Sequence, residues 1–434
     1  MLRSFGRATA AGAVLLALLG VSLAVDHQRL DSATMDEPFH ALAGCEYALS
    51  GTYWANLEHP PLVKILAGAS AGLAGARPPR LPAPFSFRTA ESPQRFLYGN
   101  EIPPDRLLAA ARRPSALLFA GVVLVAALTA WRAAGPLAGL GAALLLAFEP
   151  TLVAHAAFLH TDVAAAFGFL ATVVAAHGAL QRPSGLRWVG TGLLLGLSLA
   201  AKFTAVFLGP ILLVLALAWL LVRRRESGRL SLAPLGGLLL ASAVAGAVLL
   251  GIYAVSMRNM PSAEAERSVR YFLAGRHVPA EAVERIAGLS RLLPPLGHYA
   301  AGLAGIAEQN RRGGGLNVFR GEVSVDGFPS YFPVAFLVKS SLGFLLALLL
   351  AAGLVLARRV RPGFGTLVFL VPPACVFLAS VSSSYNIGVR HVLPAVPFLA
   401  IGAAVVIVRG LPRGVAALAL VALGLLQAGR CGAG

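Results

Sequence analysis

The sequence predicts an all-α, polytopic membrane protein with about eleven transmembrane helices, joined by outer-side loops that contain interfacial helices. Three observations carry this expectation. Of 434 residues, 57% are hydrophobic and only 13% are charged, about half the charged share of a soluble chain, too few to cover a globular surface in water. Apolar runs close to the ~20 residues needed to cross hydrocarbon recur along the chain. The formal charge of +17 is scattered between these runs and forms no basic stripe, which excludes nucleic acid as a partner and leaves membrane lipids as the surroundings. Cys45, Cys375 and Cys431 lie far apart with no C-x-x-C, so neither a disulfide framework nor a thiolate metal site is indicated.

The apolar runs fall at 8–25, 114–131, 136–154, 162–180, 188–201, 203–222, 233–256, 334–357, 364–381, 391–408 and 414–428. The first follows the basic Met1–Arg7 and reads either as a signal peptide, with Ser22-Leu23-Ala24 at its cleavage site, or as an uncleaved span; its length favours the span. Basic residues in short loops orient the chain. With a cytoplasmic N-terminus, the cytoplasmic segments are Met1–Arg7, the Trp131-Arg132 turn, Gln181–Arg187, Arg223–Arg229, Arg358–Arg361 and Arg409–Arg413, each with at least one Arg. Of 19 acidic residues only Glu226 then lies on that side, so the chemistry is expected on the outer face.

The whole chain, 1–434, reads as one integral membrane domain with two long outer segments. Residues 26–113 contain a short apolar stretch, Leu62–Leu73, and a Pro-rich loop from Arg77 to Pro82. Residues 257–333 contain Ala263–Leu289, which reads as amphipathic helix on the membrane surface or as a small packed extramembrane subdomain.

The residues able to do chemistry cluster at these outer edges. Asp36-Glu37 precedes Pro38-Phe39-His40, and a helix begun there puts Asp36 and His40 on one face at i,i+4. One carboxylate can then act as base while its neighbour or His40 orients it; equally, Asp36 caps the helix and Glu37 complements its dipole. Asp162 follows His160-Thr161, near His155 and Glu149, and is also a good helix cap. Only three of 36 basic residues are Lys (Lys64, Lys202 and Lys339). Lys202 lies in a tight hairpin between two apolar runs, where it meets an anion such as a lipid phosphate or snorkels to the interface. Arg390, within Ser382–Pro394, offers a forked, permanently charged donor for phosphate or is merely interfacial; Tyr385 and Asn386 beside it can hydrogen-bond a sugar. No P-loop, GxSxG or HExxH motif occurs, and the apolar runs are nearly free of charge.

Taken together these residues resemble the polyprenol-dependent glycosyltransferases of the GT-C superfamily, family 39, which includes protein O-mannosyltransferases and the lipid A aminoarabinose transferase. The resemblance rests on Asp36-Glu37, Glu58-His59-Pro60-Pro61-Leu62, Asp162, Tyr331–Ser340 and Asn386–Pro394, in that order, and runs to about Pro397. It implies an inverting transferase of the bacterial cytoplasmic (inner) membrane. Such an enzyme moves a hexosyl or pentosyl group from a polyprenyl-phosphate sugar donor to an acceptor hydroxyl on a glycan, lipid or protein. Asp36 would be the base, with Glu37 as its catalytic partner. Lys202, Arg390 and Lys64 would bind the donor phosphate, and Glu58, His59, Asp162, Tyr385, Asn386 and His391 would bind substrate. His59 stands where the lipid A transferases usually have Lys, which opens a divalent-cation site at His40, Glu58 and His59; no other cofactor is expected. The sequence reads as ending without the extra outer domain of eukaryotic protein mannosyltransferases, so a protein acceptor is not favoured over a glycan or lipid. The alternative is a transporter or flippase for a lipid-linked sugar.

Overall fold

The computed structural model describes residues 6–78, 92–228, 231–313, 315–361 and 363–431. Most of the basic Met1–Arg7, the Pro79–Pro82 end of the Pro-rich loop, and Arg229 lie outside the described residues, as does the 79–91 part of the first outer segment. The chain is an all-α membrane protein. In order its helices are α1 (Arg7–Leu30), α2 (Glu37–Cys45), α3 (Leu62–Leu73), α4 (Pro93–Tyr98), α5 (Pro104–Ala134), α6 (Pro136–Ala147), α7 (Pro150–Ala156), α8 (Asp162–Gln181), α9 (Gly185–Ala201), α10 (Leu208–Ser227), α11 (Ala233–Ser256), α12 (Ser262–Ala274), α13 (Ala280–Leu292) and α14 (Pro294–Arg311). After a hairpin of β1 (Asn317–Phe319) and β2 (Glu322–Ser324) come α15 (Tyr331–Lys339), α16 (Leu342–Leu356), α17 (Phe364–Val381), α18 (Val396–Gly410) and α19 (Arg413–Cys431).

The count of eleven spans is not reached by length and composition. Among the described residues seven helices are long and apolar enough to cross a membrane, or nine if each bent pair is one span. The runs at 136–154 and 334–357 are broken: α6 and α7 meet at 64°, α15 and α16 at 111°. Pro150 causes the first break, since it cannot donate into the preceding turn. Both elbows carry backbone groups freed from helices, and the elbows satisfy each other. Thr151 Oγ donates to the Lys339 carbonyl at 3.0 Å, and Ser341 Oγ donates to Glu149 at 3.2 Å. Gln427 of α19 donates to Glu149 at 3.4 Å and to the Leu145 carbonyl at 3.2 Å. The runs that became α9 and α19 are shorter apolar helices.

Pro114 inside α5 would likewise strand the Ala110 carbonyl, and Ser70 Oγ of α3 donates to it at 2.6 Å. That bond ties α3 to the long helix α5. The first apolar run belongs to the bundle too, as α1 packs on α5 and α6 with Ala13, Ala17, Gly20 and Ala24 buried.

Among the described residues two large apolar cores result, besides a small cluster of Ala179, Leu180, Trp188, Ala216 and Ala241. One joins the long helices; the other gathers α2, α3, α4 and α12–α14 with the ends of α5, α8, α9 and α11. The segment 263–289 is therefore part of a packed subdomain, with Ala265, Val269, Leu273 and Ala287 buried in that second core, and is not a helix spread on a lipid surface. Within it α2 and α3 cross closely enough that a Cβ on Gly68 would lie 1.9 Å from the Gly44 carbonyl oxygen, so glycine is required there.

Candidate active site

Between the two cores lies a cavity of about 700 Å³, within the range of small-molecule sites. Residues far apart in sequence line it, including Asp36, His40, Glu58, His59, His160, Asp162, Lys202, Arg276, Tyr385, Arg390 and His391. Asp36, Asp162, Lys202 and Arg390 thus surround one space.

Each is delivered by a helix end. Asp36 precedes α2 and makes no side-chain capping bond; its carboxylate instead meets the Arg390 guanidinium at 3.3 Å, with 46% of the Asp36 side chain exposed. His40 follows one turn later and faces the same cavity. Asp162 is the first residue of α8, where Thr161 and not Asp162 is the N-cap, and it pairs with Lys202. Lys202 sits in extended conformation between α9 and a 3₁₀ turn at Phe203–Phe207, buried against Asp162 rather than snorkelling. Arg390 lies in the 3₁₀ turn Val389–Ala395 that leads into α18. Gly388 just before it has φ +102°, a left-handed conformation that favours glycine.

Glu37 has a different place. It is fully buried, does not line the cavity, and makes two 2.7 Å bonds to the Arg112 guanidinium. It also accepts from the Leu159 and Thr34 amides at 2.8 and 2.9 Å. Burial alone would raise its carboxyl; Arg112 and the two amides outweigh that and hold it below its ordinary value. Arg112 donates further to the Gln28 and Ser32 carbonyls, within and just past the end of α1 respectively. The pair therefore fastens α1, α2, α5 and the loop before Asp162 into one frame. The catalytic role expected for Glu37 does not fit this position, because the carboxylate is buried outside the cavity and already spent on Arg112 and two amides.

Lys64 is also corrected. It is fully buried outside the cavity, its ammonium donating to the Asn56 carbonyl at 2.7 Å and lying near the Tyr47 and Tyr53 rings. It fixes the loop that carries Glu58 and His59 and does not line the cavity. Glu46 supports the same loop, accepting from the Trp54 and Ala55 amides and from Thr52. Asn386 is a clamp: its side-chain oxygen accepts from the Phe328 amide at 2.7 Å, and its own amide donates to Asn317 at 2.8 Å. Tyr385 and His391 do line the cavity, His391 stacked 5.6 Å from Phe332.

The proposed cation ligands are not gathered. The His40 and His59 rings are 5.4 Å apart, but the Glu58 carboxylate is taken by Arg276. Among the described residues no group of three or more His, Cys, Asp or Glu is placed to hold a metal ion. Burial, reinforced by neighbouring positive groups, holds the His40 and His59 imidazoles well below 6.5, and burial lowers His160 as well. All three are therefore neutral at neutral pH.

Sequence reasoning missed Arg112 and Arg276. Arg112 stands in Ala110–Pro114, at the inner edge of an outer segment and beside an apolar run, where an unpaired charge would be costly; that was its signal. Arg276 looked like one more charge on an amphipathic helix.

Residues 105–250 match the family described as dolichyl-phosphate-mannose-protein mannosyltransferase. The Archaeoglobus fulgidus oligosaccharyltransferase, in its apo form, superposes over 99% of this chain and 56% of its own, with a TM-score of 0.57 at 13% identity. The two chains share a fold, and this chain spans a little over half the length of the archaeal protein. Two further solved structures align less closely. The Saccharomyces cerevisiae protein O-mannosyltransferase Pmt1-Pmt2 complex has a TM-score of 0.41 at 21% identity, covering 57% of this chain and 33% of that one. ArnT from Cupriavidus metallidurans has a TM-score of 0.39 at 16% identity, covering 96% and 77%. No curated protein matches the chain.

Proposed function

We propose that this chain is an inverting glycosyltransferase that moves a sugar from a polyprenyl-phosphate donor to an acceptor hydroxyl. The observation that carries the reading is the cavity itself: the half-exposed Asp36 carboxylate shares it with Arg390, which it pairs with, and with Lys202, while the cavity's other half-exposed acid, Glu58, is taken by Arg276. Asp36 takes the acceptor's hydroxyl proton as that oxygen attacks the anomeric carbon. The bond from that carbon to the phosphate oxygen breaks on the opposite face, and the lipid phosphate leaves with the electron pair. Negative charge grows on the phosphate in the transition state, and cations already fixed nearby stabilise it without reorganising. Arg390 supplies a fork suited to two phosphate oxygens and Lys202 a compact charge. Arg390 pairs with Asp36 and Lys202 with Asp162, which keeps both cations compensated.

A lipid phosphate as leaving group fits a cavity at the ends of apolar helices, and the archaeal relative has been solved in complex with dolichol-phosphate. The distribution of basic and acidic residues supports a cytoplasmic N-terminus and a cavity on the outer face of the bacterial inner membrane.

The test is a panel of undecaprenyl-phosphate-linked sugars offered to the purified protein in nanodiscs. The expected result is that one donor loses its sugar, with the product in the opposite anomeric configuration. If no donor loses sugar while the lipid is carried across vesicles, the protein is a transporter.

A further inference from the structure

The charges that face a lipid phosphate leave one polar group of the cavity unused. Arg276, just after α12, directs its guanidinium to the Glu58 carboxylate and to the Gln309 carboxamide of α14. The same guanidinium lies 5.2 Å over the Phe272 ring. Glu58, Phe272, Arg276 and Gln309 all line the cavity, together with the Tyr271 ring. Gly305 makes the arrangement possible, since a Cβ there would meet the Phe272 ring at 2.6 Å.

We propose that this group is the acceptor subsite and that the acceptor is a carbohydrate, bound through neighbouring hydroxyls of one sugar ring. The proposal rests on the transferase reading and goes beyond it in naming the acceptor's class. Three arguments carry it. First, the polar atoms come as planar forks (carboxylate, guanidinium and carboxamide), which pair with two adjacent hydroxyls at once. Second, the charge is already balanced, because Arg276 faces Glu58, so the group suits a neutral polyhydroxylated molecule better than an anion. The rings beside it offer apolar faces for the C–H side of a sugar. Third, α12 and α14 belong to the packed subdomain and not to the spanning helices. A ligand they hold arrives from the aqueous side, whereas the donor arrives through lipid. An extended peptide would instead need a sheet edge or groove to pair its backbone, and the residues here line a pocket.

The probe is a set of methyl glycosides of common hexoses and pentoses, read by saturation-transfer NMR on the full chain in nanodiscs, with a Ser/Thr-containing peptide in parallel. At least one glycoside is expected to bind, and Arg276→Ala and Gln309→Leu are each expected to weaken it by about tenfold, the loss of one good hydrogen bond. A native-like melting transition in either variant shows that it is folded, and two variants on different helices guard against one failing. Octyl glycosides form a second arm: tighter binding than the methyl series points to a lipid-borne glycan, equal binding to a soluble one. The proposal is overturned if no glycoside binds the wild-type protein, or if binding is the same in both variants. It is also overturned if the peptide binds in an Arg276-dependent way, or if the lipid-linked sugar donor displaces the glycoside. Undecaprenyl phosphate binding by the wild-type protein is measured alongside. Its absence sinks the transferase reading, whereas its presence without Arg276-dependent sugar binding sinks only the acceptor assignment.

Discussion

Asp36 and Glu37 are consecutive in the chain but belong to different regions of the molecule. Asp36 turns into the cavity and meets Arg390 with nearly half its side chain exposed. Glu37 turns away from it into a sealed knot with Arg112 and two backbone amides. The same division runs through the other charged residues. Lys202 and Asp162 line the cavity, whereas Lys64 and Glu46 are buried behind the loop at 52–59 and hold it in place. The comparison teaches that the acid–cation pairs here come in two kinds, those that hold the frame and those that face the cavity.

Substitutions separate the two kinds. Removing one partner of a buried pair leaves the other charge uncompensated, at about 3–5 kcal/mol. Glu37→Ala is therefore expected to lower stability by about that much in denaturant or thermal melts, with any loss of activity following the loss of folded protein. Asp36→Asn should do the reverse, cutting sugar transfer by about 10²–10⁴-fold while the melt stays close to wild type. A normal melt for Glu37→Ala, or a collapsed one for Asp36→Asn, would break the comparison.

Much of this division is hidden in the sequence. The apolar runs placed nearly every long helix because each needs its full length of hydrocarbon-compatible residues. Asp36, Asp162, Lys202 and Arg390 stood out as charges at the ends of those runs, and all four meet in one cavity. Which member of Asp36-Glu37 faces it could not be read, because that depends on Arg112, 75 positions away. The same holds for Lys64, whose environment is set by Asn56, Tyr47 and Tyr53 in a folded loop. The bends at Glu149 and Ser341 were hidden too, since a broken helix and a straight one bury similar apolar runs.

Smaller effects sharpen the picture. Lys202→Ala and Arg390→Ala are each expected to weaken undecaprenyl phosphate binding by roughly 10- to 100-fold, as for a lost hydrogen bond to a charged group, measured by titration in nanodiscs. Acidification tests three of the four imidazoles that line the cavity, those of His40, His59 and His160. Unfolded, each gains its proton near pH 6.5; folded, His40 and His59 resist well below that and His160 resists as well. The unfolded state then binds more protons, so stability is complete above about pH 6.5 and falls below it. The slope is up to about 1.4 kcal/mol per pH unit for each imidazole. Melts between pH 7.5 and 5 check this, and a flat profile would contradict it. Ser70→Ala, which frees the carbonyl stranded by Pro114, should cost about 1 kcal/mol of stability and leave lipid phosphate binding untouched.

The most direct test of the account is an experimental structure with undecaprenyl phosphate bound. The expected result puts the phosphate within hydrogen-bonding reach of Arg390 and Lys202, beside the Asp36 carboxylate. A phosphate seated instead in the second groove, which Arg29 and Arg113 line beside the end of α1, would contradict it.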